Sequence, residues 1–357
     1  MNMINCTVKT VKSKYQMKKI KKHFSQVDIF QRKRKFKNNN TLAQLFMDFI
    51  ISGLSLFSLS IKFASINNEK ISDTALKKTM QKSDKFKLIY DDLLNSREHC
   101  KIKTKKVVGY KQCFALDTTY LKSEGKNAEV YRIHSSYALT KNVISDVNVT
   151  DSHVAESVTN FEIVPESLYL ADRAYCTAAQ LTHVLDNNAD FIFRMKYDGV
   201  RLFRDEECKK QINLVEFLSN TNKKVLSKSV YINHNGKVNK IRVVAKKLDE
   251  KAKDNNLKAA KKSAQKRGSN LKPETIKMCE WLVLTTSIKN KSPQIILKAY
   301  RLRWQIELLF KRFKSFLHIH KIRKASKNYA FSFIYLALIL FFGLELFVEL
   351  NEEFFAR

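Results

Sequence analysis

Three acidic residues stand where a carboxylate is costly to keep. Asp117 lies inside the apolar run FALDTT, Asp172 closes the strand-like piece of YLADRAY, and Glu307 sits in AYRLRWQIELLFKRFKSFL. A carboxylate embedded in strand-like sequence gives up hydration on burial, so it has to be paired or to hold a cation. Hard carboxylate oxygens suit divalent ions, and such ions suit phosphoryl chemistry. An Asp at a strand end also has the plainer use of turning or capping the chain, and singly none of the three decides between these uses.

The segment around Glu307 carries more information. At about 100° per residue, Tyr300, Arg303, Glu307 and Lys314 of an uninterrupted helix fall at roughly 0°, −60°, −20° and −40°, on one narrow face. Ile306, Leu309, Phe310, Phe313 and Leu317 form an apolar stripe centred roughly 100° away. The spacing predicts a helix that packs by one flank and leaves the polar row available. An i,i+4 surface pair of Arg303 with Glu307, worth a few tenths of a kcal/mol, is the simpler account. It gives the aligned Tyr300 and Lys314 no role.

Such residues need elements to position them. KQCFALDTTYL, AEVYRIHSSYAL, NVISDVNVT, SLYLADRAY and ADFIFRMKY are short and rich in β-branched and aromatic residues, with a helical stretch at 176–187 before the last. Three successive strands, a connection and a strand–helix–strand unit predict an α/β fold, a mixed sheet with helices packed on it. Residues 198–290 read as an insertion. It holds VYINHNGKVNKIRVVAKKL, with an Asn235-Gly236 hairpin signal, and the strand-like EWLVLTTSI. Within it EKAKDNNLKAAKKSAQKRGSNLK is basic and poor in apolar residues, and reads evenly as a solvated helical arm or as a clamp on an anionic backbone. Ahead of the strands, TLAQLFMDFIISGLSLFSLSIKF and ISDTALKKTMQKSDKFKLIYDDLL show apolar residues at three- and four-residue spacing. They predict helices. One arrangement is a helix-turn-helix-like bundle with a short Asn67-Asn68 turn, Ser72 before the second helix and Lys77, Lys78 and Lys82 toward phosphates; a plain packing subdomain is the other.

Composition narrows the partner. The chain has 357 residues, 66 Lys plus Arg against 34 Asp plus Glu, and a formal net charge of +32. An excess of that size points to a polyanion, with nucleic acid first. The 44% hydrophobic content excludes a disordered basic tail protein, while 7 Gly and 3 Pro exclude collagenous or Gly-rich phosphate-cradling architectures. Cys6, Cys100, Cys113, Cys176, Cys208 and Cys279 form no CxxC pair and read as reduced thiols rather than zinc ligands. The N-terminus lacks the apolar core of a signal peptide. Phe331 to Val348, broken only by Ser332, Gly343 and Glu345, reads as a buried terminal helix in preference to a membrane span. These features divide the chain into a basic arm (1–40), a helical region that reads as DNA-binding or as packing (41–105), a core (106–197 and 291–330), a β-rich insertion (198–290) and a C-terminal apolar helix (331–357).

YLADRAY followed by YRLRWQIELLFKRFK resembles the Tyr-Arg-Glu-Lys signature, Y-x2-R-x3-E-x6-K, of the fourth family of bacterial insertion-sequence transposases. The spacing matches at Tyr300, Arg303, Glu307 and Lys314, and with FALDTT and WLVLTTSI the resemblance extends over roughly residues 20 to 340. It implies a ribonuclease-H-like core interrupted by a β-rich insertion, an N-terminal DNA-binding region, and an Asp-Asp-Glu triad of Asp117, Asp172 and Glu307. Two divalent ions, Mg²⁺ with Mn²⁺ as a substitute, would be held by these carboxylates. Tyr300, Arg303 and Lys314 would contact the DNA strand near the cleaved phosphate; Arg173, beside Asp172, is a further candidate phosphate contact. Trp281 matches a position that looks like a stacking platform for a base extruded at the element end, a use that stands level with that of a core residue of its strand. Ala174 departs from the glycine expected after the Asp-Arg pair, and the chain is short for the family.

The activity so implied is cut-and-paste DNA transposition. The enzyme would recognise terminal inverted repeats in double-stranded DNA, hydrolyse a phosphodiester at each end and join the freed 3′-hydroxyl to target DNA. A hairpin intermediate, a homodimer bridging two ends and a bacterial cytoplasmic, nucleoid-associated setting follow from the same resemblance. A catalytically silent transposase-derived DNA-binding protein is the alternative, since a charge of +32 serves either; the intact carboxylates favour the enzyme.

Overall fold

The structure is a computed structural model that describes residues 14–27, 29, 39–67, 70–98, 106–316, 321–323 and 325–350. The QRKRKFK end of the basic arm, Asp28, Cys6, Cys100, Asn68 and Leu317 lie outside the described residues. The chain divides into two compact units, one of residues 1–101, 120–132 and 310–357, the other of residues 102–119 and 133–309.

Helices come first: α1 (Lys14–Gln26), α2 (Asn39–Ser52), α3 (Leu56–Asn67), α4 (Asp73–Thr79) and α5 (Ser83–Glu98). Strands β1 (Cys113–Ser123), β2 (Val130–Ala138), β3 (Val143–Asp151) and β4 (Leu168–Ala171) follow, then α6 (Ala178–Asp186) and β5 (Asp190–Arg194). Residues 198–290 supply α7 (Leu214–Ser219), β6 (Val225–His234), β7 (Lys237–Lys247), α8 (Glu250–Lys266), α9 (Pro273–Met278) and β8 (Trp281–Thr286). The chain continues through α10 (Pro293–Tyr300), α11 (Trp304–Phe316), the short β9 (Lys321–Ile322) and α12 (Lys327–Leu350).

In the first unit the apolar faces of the helices close on one another. Phe46 of α2 meets Phe86 of α5 edge-on at 5.3 Å, and the apolar run of α12 is absorbed there too, with Phe333 against Phe49 at 5.9 Å and Tyr335 against Tyr90 at 5.8 Å. Such aromatic pairs add to area burial, and they answer why the terminal run is so apolar. Among the described residues no helix is long and apolar enough to cross a membrane. Ser72 caps α4, accepting from the Ala75 amide at 3.2 Å. Lys77 and Lys78 are exposed, whereas Lys82 donates to the Ile29 carbonyl at 2.7 Å.

The strands form a sheet ordered β3-β2-β1-β4-β5-β8-β7-β6, most of it in the second unit, with the end of β1 paired to β9 within the first. β1, β4 and β5 run parallel; β5, β8, β7 and β6 alternate antiparallel. The β6–β7 turn is Asn235-Gly236 with φ of 51° and 84°, the left-handed pair that a two-residue hairpin of matching twist demands. Alternation sorts the strands between two cores. Phe114, Leu116, Tyr169, Ala171, Phe191 and Phe193 face one side with Leu181 and Val184 of α6. Cys113, Leu168, Leu170 and Ile192 face the other with Ile296, Ala299 and Tyr300 of α10. Helices on both faces of a β3-β2-β1-β4-β5 sheet make the fold α/β and ribonuclease-H-like, and residues 225–286 continue that sheet as β8, β7 and β6.

Candidate active site

Register brings the two aspartates together. The last paired residues of β1 and β4 are Leu116 and Ala171, so Asp117 and Asp172 are the next residues on two adjacent parallel strands. Adjacent strands lie about 4.8 Å apart, which sets the two residues side by side where the β1–β4 ladder stops. Asp172 opens a 3₁₀ turn, Arg173–Tyr175, without a side-chain capping bond, so its carboxylate is not consumed as a cap. The turn has no left-handed residue, and Ala174 is accommodated in place of glycine.

Glu307 arrives from α11, and the approach differs from a single helix. Residues Arg301–Arg303 form a 3₁₀ turn between α10 and α11, so the uninterrupted helical wheel does not hold across Tyr300, Arg303 and Glu307. Nor is the polar row open at its start. Tyr300 is 8% and Arg303 9% exposed. Arg303 reaches over the carboxylates: Nη2 pairs with Glu307 Oε1, Nη1 stands 3.7 Å from Asp117 Oδ2, and the guanidinium lies over the Tyr300 ring at 5.6 Å. The i,i+4 pair therefore exists, but Asp117 makes it a three-membered cluster. Lys314, two turns further along α11, is half-buried, with Nζ 5.3 Å from the Tyr120 ring centroid.

The charges are mutually perturbed. Burial pushes the Asp117 carboxyl up to about 6; the Thr118 amide, donating to Oδ1 at 2.8 Å, and Arg303 pull the other way, while Glu307 and Asp172 add to the rise. Burial alone would lower the Arg303 guanidinium, but Tyr300, the Glu307 hydrogen bond and Asp172 outweigh it and raise it. Burial raises the Tyr300 phenol, and Asp172 adds to the rise. Burial lowers the Lys314 ammonium.

The donor set suits a divalent ion in part. All three groups offer hard oxygens, and Asp172 Oδ1 is a buried acceptor with no hydrogen-bond partner, its nearest cation being Arg194 Nη1 at 4.0 Å. Asp117 and Asp172 thus fit an oxygen-liganded cation. Glu307 is turned to Arg303, and among the described residues no three His, Cys, Asp or Glu side chains form a group able to hold one ion. Arg303 supplies the positive charge between Asp117 and Glu307.

A cleft of about 470 Å³ opens beside this end of the sheet. Arg173, which follows Asp172, and Arg194, which ends β5, belong to its lining together with Lys196, Arg267 and Lys272. Asn256, Ala259, Ala260, Ser263 and Ala264 of α8 form a wall of short side chains, and Met278, Cys279 and Trp281 line it as well. Trp281 is 7% exposed and counts in the core beneath the sheet, so its ring borders the cleft from within. The basic stretch is a seated helix: Asp249 caps α8, Lys253 Nζ pairs with Glu280 at 3.0 Å, and Asn256 donates to the Cys279 carbonyl at 3.2 Å. Its other face presents Lys258, Lys261, Lys262 and Lys266, all exposed.

Sequence reasoning passed over Arg194 and Trp304. Arg194 carries the signal that marked Asp172, a charged residue closing a parallel strand; Trp304 is an indole 55% exposed between Arg303 and Glu307.

A profile of the family described as "Transposase DDE domain" matches residues 96–342. The chain is similar to the putative transposase InsL of insertion sequence element IS186A from Escherichia coli strain K12, 26% identical over 337 residues that cover 90% of this chain and 88% of the relative. It is likewise similar to the transposase of insertion sequence element IS421 from Escherichia coli, 25% identical over 338 residues at the same coverage.

Proposed function

Since this chain belongs to the DDE transposase family and is an insertion-sequence transposase, we propose that Asp117, Asp172 and Glu307 are its catalytic carboxylates in cut-and-paste transposition. The observation that carries this reading is the placement of Asp117 and Asp172 side by side just past the last β1–β4 pair, with Glu307 tied to Asp117 through Arg303.

Two Mg²⁺ ions, with Mn²⁺ as a substitute, would be held by these three residues and would supply Lewis-acid stabilisation to the attacking and leaving oxygens of an in-line phosphoryl displacement. The chain's own groups do the rest. Arg303 neutralises and orients Asp117 and Glu307 while Tyr300 backs its guanidinium, and both border the DNA strand near the cleaved phosphate. Lys314 offers a point charge to a phosphate oxygen. Arg173 and Arg194 lead the strand from the carboxylates into the basic cleft, where Trp281 offers a stacking surface to an extruded base. The exposed lysines of α8 grip backbone phosphates without reading sequence.

In this reading residues 1–40 and 41–105 hold double-stranded DNA at the terminal inverted repeats, residues 106–197 and 291–330 form the catalytic core, and residues 198–290 extend it. The enzyme acts as a homodimer bridging two ends, in the cytoplasm of a bacterium and at its nucleoid. Supplying the protein in trans to a marker flanked by the DNA that borders its own gene tests the proposal. Excision is expected from the native protein and none from Asp117→Ala. Equal excision by both would overturn the triad; binding of the ends without excision by either would favour the catalytically silent DNA-binding derivative.

A further inference from the structure

Behind the carboxylates, on the opposite face of β1, polar groups from separate parts of the chain join in one buried chain of hydrogen bonds. Thr118 follows Asp117 and points the other way. Its Oγ1 stands 2.9 Å from the Tyr175 hydroxyl and 3.0 Å from His134 Nδ1. His134 Nε2 stands 2.9 Å from Thr150 Oγ1, which donates to the Asp151 carbonyl at 3.2 Å. His134 and Tyr175 are completely buried.

The direction of every bond follows from one amide. Asn160 Nδ2 faces the Ala155 carbonyl at 2.8 Å, an acceptor only, so this atom is the nitrogen. The same Nδ2 lies 3.3 Å from His134 Nδ1, which therefore accepts. Nε2 carries the ring proton and donates to Thr150. Thr118, facing an accepting Nδ1, donates to it and in turn accepts from Tyr175. The order runs Tyr175 to Thr118 to His134 to Thr150 to the Asp151 carbonyl, with the two threonine hydroxyls each both donating and accepting.

Its first two members bear on the site. Tyr175 closes the 3₁₀ turn that Asp172 opens, and Thr118 donates its backbone amide to Asp117 Oδ1. We infer that Tyr175, Thr118 and His134 are positioning residues that set the spacing of Asp117 and Asp172 for a divalent cation, by bonding the turn after one aspartate to the strand beside the other. A packed apolar contact would keep the two segments together, whereas a bond of fixed length and direction sets their distance. This inference rests on the metal-dependent reading above.

Calorimetric titration of the full-length protein with MnCl₂ alone tests it. Thr118→Val and Tyr175→Phe keep side-chain volume and remove the bond; each is expected to weaken Mn²⁺ binding about 10-fold, as loss of a ligand-orienting partner does. The double variant should bind as the weaker single one does, because both lose the same bond. Thr118→Ser, which keeps the hydroxyl, should stay within about 2-fold of the native protein. Native affinity in both Thr118→Val and Tyr175→Phe overturns the inference. So does an equal loss in Thr118→Ser and Thr118→Val, which would trace the effect to packing. A native protein that binds no Mn²⁺ overturns the metal reading and this inference together, whereas Mn²⁺ binding lost in Asp117→Asn but unchanged in Thr118→Val overturns this one alone.

Discussion

The carboxylate cluster and the basic cleft of the sheet unit handle charge in opposite ways. Where the β1–β4 pairing stops, Asp117 and, from α11, Glu307 are matched by one buried arginine, and Asp172 has Arg194 at 4.0 Å. On α8 and around the cleft, cations gather with Asp198 as the acid of the lining, and the outward lysines are left to solvent. The contrast separates two tasks. Chemistry needs a few charges held at fixed distances, so burial and hydrogen bonds are accepted at some cost in stability. Gripping a polyanion needs many charges that follow a long ligand, and solvated side chains do that with little cost to the fold.

The sharpest way to break this comparison is to neutralise each region and see which property fails. Asp117→Asn, Asp172→Asn or Glu307→Gln should lower the rate of end cleavage at least about 10³-fold, with DNA affinity within a few-fold of native, measured by cleavage of labelled end DNA beside a binding titration. If affinity falls in step with cleavage, the carboxylates serve folding rather than chemistry. The converse substitution, Lys258, Lys261, Lys262 and Lys266 together to Ala, should weaken DNA binding by about 10²-fold near physiological salt. Its signature is a flatter salt dependence, the slope of log K against log salt shrinking by up to about 3.6 for four lost phosphate contacts. An unchanged slope would return α8 to the role of a solvated helix.

The smallest effect concerns stability. Asp117 has its folded value raised from 3.8 to about 6, chiefly by burial, so folding favours its protonated form. Its contribution is therefore most favourable below about pH 4 and is lost as the pH rises through 6, amounting to about 1–3 kcal/mol by pH 7.5. Asp117→Asn should stabilise the metal-free protein by about that much at pH 7.5 and by nothing at pH 4, read from urea unfolding at the two pH values. A destabilised variant at pH 7.5 would mean that the ion pair with Arg303 outweighs the burial cost.

The same contrast explains what could be read beforehand. Strand periodicity and Asn235-Gly236 foretold β1 to β8, because alternation and left-handed turn chemistry are local. Asp117 and Asp172 stood out since a carboxylate inside a strand or closing one is conspicuous in apolar sequence. The 3₁₀ turn at Arg301–Arg303 left no such mark, because its backbone angles lie close to those of the helices on either side. A helical wheel could align Arg303 with Glu307, yet not reveal that Asp117 waits across from them. The hydrogen-bond chain was hidden for the same reason: Thr118, His134, Thr150, Asn160 and Tyr175 come from five segments that only the folded sheet assembles.

The order in which the site residues occur along the chain has a consequence during synthesis. Glu307 and its partner Arg303 follow Asp117 by about 190 residues, so at roughly 5–20 residues per second the ribosome takes about 10–40 s to supply them after the first aspartate. Until α11 has left the exit tunnel, a nascent chain carries the exposed lysines of α8 but neither Arg303 nor Glu307. On the proposed reading, ribosome-stalled chains ending before Arg303 should therefore bind DNA without cutting it.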